Sequence, residues 1–313
     1  TGPVSVSNGG ALDIVSGTTA IANPISVSGA GPDGLGALRH SGGVNQQNAF
    51  TTVNLTDDTT VFSASRMDVR GGAFDFGGHS LTVNGGGEFS IVLSSISNVT
   101  AATGVNVANG MMRFEQSDFQ GTAANIASAA SGAGVCLYQQ LVPMAWSLQL
   151  ADNAYFRANN GGMDTNLNRW AGPVTLTSGT ARLTALAGAS GTITGAIGGD
   201  GGLLKEGDGW FWLFNPANTY AGATAVTQGN LYAVSPGSLG AQAGAGLTVS
   251  GAGGFVARVA SDTSPDGWSV AELEDIFDTD TFTTPGTTSL GFDTRYADLD
   301  YTAAIPHVGL KKF

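Results

Sequence analysis

The chain is 313 residues long and carries 24 acidic against 12 basic residues, a net charge of −12. Without clustered Lys and Arg, that balance excludes a nucleic-acid groove or an anionic-membrane patch. Glycine supplies 48 residues and charged side chains only 12%, a mixture too apolar for disorder and too broken by glycine for long helices, since each interior Gly costs a helix roughly 1 kcal/mol relative to Ala.

In chain order, the first predicted elements lie at residues 4–14 (VSVSNGGALDI), two short alternating strands around a Gly turn. Residues 25–31 (ISVSGAG) give the next strand. Asp57 and Asp58 are adjacent, so on a regular strand they point to opposite faces. The alternation returns at 81–87 (LTVNGGG) and 174–179 (VTLTSG). Between them, Cys136 lies in an apolar stretch, AGVCLYQQL, and reads as a buried small side chain. As the only cysteine, it excludes an internal disulfide and a multi-thiolate metal site.

The later part repeats the earlier one. Residues 225–234 (AVTQGNLYAV) echo the start of the chain, and 247–253 (LTVSGAG) echo 25–31. The unit is a strand of four to six residues closed by Gly, Asn or Asp, recurring about every twenty residues. Such a strand buries only half its side chains and must stack on others. We therefore expect an all-β, right-handed parallel β-helix in which Val, Leu and Ile fill an inner column and Ser and Thr face water. Residues 1–313 are expected to form one continuous segment of it, excerpted from a longer repeat protein. No run approaches the ~20 apolar residues of a membrane-spanning helix.

Residues 199–240 open on Gly202, Leu204, Lys205 and Gly207 and continue with N-T-Y-x-G-x-T-x-V-x-x-G-x-L on Asn218, Thr219, Tyr220, Gly222, Thr224, Val226, Gly229 and Leu231. In these residues the stretch resembles a known family, the autotransporter-associated β-strand repeat of secreted surface proteins. The closing GLKKF at 309–313 looks like the opening of a further repeat. The resemblance implies an extracellular or cell-surface location and a structural role as stalk or fibre, with flanking repeats of the same chain as partners.

Two features depart from that texture. Trp210, Phe211, Trp212, Leu213 and Phe214 stand where the family has alternating Thr, Leu and Ser. With Phe211 and Leu213 inward, Trp210, Trp212 and Phe214 form an outward aromatic row that either binds glycans or a surface protein, or packs under a neighbouring loop. Residues 261–301 form an acidic excursion with ten carboxylates and one base, Arg295. Within it a capping box at Ser269–Glu272 and helical spacing of Leu273, Ile276 and Phe277 predict a helix over Val270–Phe277. Asp275, Asp278 and Asp280 offer oxygen ligands for Ca²⁺ without a known calcium-loop pattern, and a solvated acidic loop is the competing reading.

Signals of catalysis are thin, and no enzyme is expected. His40, His79 and His307 lack metal-ligand spacing. Glu206 and Asp208 are the best carboxylate pair for a polysaccharide-degrading enzyme, the third reading after scaffold and adhesin.

Overall fold

In the computed structural model, residues 2–15, 20–260, 266–277, 282–283, 287–295 and 309–312 are described. They divide into two compact units, Thr1–Tyr155 and Phe156–Phe313. Each is a parallel β-solenoid, as the alternating strands predict. Every strand pairing resolved within the units runs parallel, and no described helix is long and apolar enough to cross a membrane.

The sequence pattern explains the first unit directly. Met67, Phe89, Met112 and Val135 lie in register on successive coils, as do Val69, Ile91, Phe114 and Leu137. All eight are fully buried. A second column runs through Leu81, Val105, Ala127 and Leu148. Residues between these positions turn to the opposite face. Beside the second column Thr82, Asn106 and Ser128 reach solvent, whereas beside the first pair of columns Asp68, Ser90, Arg113 and Cys136 lie in register and are themselves buried. Cys136 is fully buried, as its apolar stretch suggests.

Steps between coils are less regular than the repeat implies. Trp210 faces Asn230, a step of 20 residues, whereas Ile25 faces Val53, a step of 28. The corners absorb the difference. Gly77 and Gly78 turn with φ of 57° and 82°, values that carry a steric penalty for any residue with a Cβ.

In the second unit, the motif residues of 199–240 are spent on contacts between coils. Asn218 accepts from the Ile197 amide (2.8 Å) and donates to the Ser238 carbonyl (2.8 Å), bridging its two neighbours. Tyr220 is buried with its hydroxyl 2.6 Å from Thr224 Oγ1. A Cβ on Gly222 would strike the backbone of Gly201 and Gly202. Lys205 is fully buried, and it occupies an inward position between Leu183 and Val226. Its ammonium donates to the carbonyls of Glu206 (2.9 Å), Gly207 (2.6 Å) and Gln228 (2.9 Å).

The predicted helix is present at Val270–Phe277. Ser269 N donates to Glu272 Oε2 (2.8 Å) and Glu272 N to Ser269 Oγ (3.3 Å), a reciprocal capping box. Leu273 and Ile276 are fully buried. This segment lengthens one coil, since Gly254 faces Ser289 at a step of 35 residues. It also sends Trp268 inward, 5.6 Å edge-on to Phe255, with its indole N–H on the Ala233 carbonyl (3.1 Å). A 3₁₀ helix at Pro236–Gly246 was not foreshadowed by any periodicity in its Gly- and Ala-rich sequence.

Candidate functional site

The aromatic row lies where alternation places it. Phe211 and Leu213 are fully buried, and Trp210, Trp212 and Phe214 point outward, half-buried. Successive outward residues on a strand stand one above another, so the rings offset-stack: Trp210 on Trp212 at 5.2 Å and 19°, Trp212 on Phe214 at 6.0 Å and 17°. The faces of the Trp212 indole therefore meet its two neighbours, and ring edges line the adjoining hollow.

The next coil completes the floor. Tyr232, in register with Trp212, packs 4.7 Å from it and is almost fully buried with Val234 and Val256. Its hydroxyl donates to Asp293 Oδ2 (2.9 Å), and Arg295 donates to the same carboxylate through Nε (2.8 Å) and Nη2 (2.6 Å). Burial raises the Asp293 pKa, but the hydrogen bonds from Arg295 and Tyr232 outweigh it and hold the carboxyl below its ordinary value. Burial and the Asp293 charge push the Tyr232 phenol up. Trp210, Trp212, Tyr232, Val256, Asp293 and Arg295 line a hollow of about 230 Å³. A second of about 270 Å³ lies beside Phe214, Met163, Thr165 and Arg258. Sequence reasoning missed Tyr232, Asp293 and Arg295. Tyr232 was detectable only by aligning Leu231-Tyr232 with Phe211-Trp212 at a twenty-residue step.

A second concentration of chemistry lies on an outer face of the first unit. Strand 66–70 presents Arg66, Asp68 and Arg70, the next coil Glu88 and Ser90, and the third Arg113 and Glu115. Arg66 and Arg70 clasp Asp68 at 2.7 Å each. Arg113 Nε lies 2.9 Å from Glu88, and Glu115 is reached by Arg66 and Arg113 at 3.3 Å. The Arg113 guanidinium also lies 5.1 Å over the Tyr138 ring. Three guanidiniums meet three carboxylates, and the face fixes charge across coils. Replacing Asp68 by Asn should destabilise this unit by about 2 kcal/mol, below the ~3–5 kcal/mol of a fully buried broken pair because Arg66 and Arg70 keep contact with water. Denaturant melts of the D68N variant check this.

The other sequence candidates separate. Asp275 is exposed on its helix, while Asp278 and Asp280 lie outside the described residues. Glu206 sits 3.5 Å from Arg182 Nε and accepts from Thr184 Oγ1 (3.1 Å); Asp208 accepts from Gln228 Nε2 (2.6 Å). Both carboxylates thus have partners on neighbouring strands. His40 is buried against the Ile14 and Val44 carbonyls (2.6 and 2.7 Å), and His307 lies outside the described residues. One sequence reading requires correction. Asp57 and Asp58 do not point apart: the strand register shifts across them, between Leu55 and Thr59, and their carboxylates come together. His79, on the next coil, joins them to form a group of metal-ligating type.

No known family, curated protein or solved structure matches this chain.

Proposed function

We propose that this chain is a structural segment of a secreted or cell-surface repeat protein, a passenger-like stalk or fibre that holds other modules away from the cell. One observation carries the reading. The strongly patterned residues of 199–240 are consumed by contacts between coils: Asn218 bridges three of them, Tyr220 fills a corner, and Lys205 ties a turn to the following strand. A repeat whose recurring residues serve stacking transmits load along parallel ladders rather than presenting a ligand. Flanking repeats then supply the partners for the outermost strands.

The test is surface accessibility in the source cell. An epitope inserted at an exposed corner of the full-length protein should be stained and protease-released on intact cells. An epitope reachable only after lysis would sink the reading.

The aromatic row favours a second reading, an adhesin that binds glycans or surface proteins. Changing Trp210, Trp212 and Phe214 together to Ser should abolish adhesion to glycans or cells while the β-rich circular dichroism stays unchanged. Undiminished adhesion would end that reading.

A further inference from the structure

We propose that Asp57, Asp58 and His79 form a binding site for one divalent transition-metal ion of the Zn²⁺ class, clipping two successive coils together at a corner of the first unit. One ligand atom from each residue lies within 4.8 Å of the others. The strands that follow this corner pair in register from Thr59 opposite Leu81, so the two Asp residues and His79 project from adjacent coils at the same place.

The corner is built to hold them. Asp57 Oδ1 accepts from the Asp58 amide (2.8 Å), and Asp58 Oδ1 accepts from the Ser80 amide (2.8 Å), the residue after His79. Each carboxylate is thereby oriented with its second oxygen available. The His79 amide donates to the Phe76 carbonyl (2.8 Å), closing the Gly77-Gly78 turn that delivers the imidazole. A Cβ on Gly77 would strike the Leu55 carbonyl, so the turn is restricted to this shape.

Charge points the same way. The ion pairs of this unit run through Asp33, Asp68, Glu88 and Glu115. Among the described residues no Lys or Arg pairs with Asp57 or Asp58, which stand side by side on the surface. A cation held between them relieves that repulsion. The donor set then selects the ion. Ca²⁺ takes about 6–8 oxygen ligands, whereas one imidazole and two carboxylates suit Zn²⁺ or a neighbouring transition ion, with water in the remaining position. Zn²⁺ with bonds of about 2.0–2.2 Å needs the ligands somewhat closer together, a movement open to exposed side chains on a fixed corner.

Calorimetric titration of ZnCl₂ into the untagged, chelator-stripped chain tests this. We expect one ion bound per chain, with affinity reduced at least tenfold in His79→Gln and in the Asp57→Asn/Asp58→Asn pair. Asp275→Asn should bind as the native chain does, CaCl₂ should bind far more weakly, and circular dichroism should be unchanged throughout. Absence of Zn²⁺ binding, or an affinity in His79→Gln and in the paired Asn variant equal to that of the native chain, overturns the proposal. So does loss of binding confined to Asp275→Asn, which would place the ion on the acidic excursion.

Discussion

Replacing Lys205 by Met should cost the second unit about 3 kcal/mol, because several carbonyls lose a buried donor and each unsatisfied one costs about 1–3 kcal/mol before relaxation. Met nearly matches the volume of Lys, so the loss reports the ammonium and not a cavity. Its pH dependence is diagnostic. Burial pushes Lys205 from 10.5 down to about 7, against the raising effect of Asp208 and Glu206. Between those pH values the unfolded chain holds a proton that the folded chain has released. Native stability contributed by this group therefore rises from pH 7 toward 10.5 and is flat below. The Met variant lacks that slope, so its deficit should widen with pH. Denaturant melts at pH 6, 8 and 9.5 measure it, and a deficit that stays flat over this range would mean that the ammonium stays charged in the folded core.

Replacing Phe211 by Ala should cost about 3–5 kcal/mol, the range for emptying a large buried aromatic site. The ring is fully buried, meets Phe156 edge-on at 5.4 Å, and fills the space over Gly191, where any added Cβ would collide with it. Its backbone is pinned in a parallel ladder between Gly191 and Leu231, so collapse into the void is restricted. Trp212→Ala, one residue away on the outer face, should cost only about 1–2 kcal/mol because a half-buried ring returns less area to water. Chemical denaturation of the two variants tests the inside-outside assignment. Equal losses would refute it.

These neighbouring residues show how far the sequence can be read. In a run of five apolar residues only the structure shows that Phe211 is the one inside. Alternation puts Phe211 and Trp212 on opposite faces without any structure, since period two is a property of a single strand. The helix at Val270–Phe277 was legible for the same reason: its capping box lies within four residues. Which residues would meet the aromatic row was not. Tyr232 comes from one coil later, and Asp293 with Arg295 from beyond the acidic excursion.

What the sequence alone determined is therefore local: strands that bury one face, glycine corners and a capped helix. What only the tertiary structure decided is which residues meet between coils: the Arg66–Asp68–Arg70 clasp reaching Glu88 and Glu115, the approach of His79 to Asp57 and Asp58, and an ammonium inside an aliphatic column. The physical reason is register. Coils advance by 20 residues in one place, 28 in another and 35 around the excursion. Each step is fixed by corner geometry and by packing against the coil beneath. A one-residue slip would turn every outward side chain inward, so the partners of a charged residue follow from the stacked coils and not from the spacing along the chain.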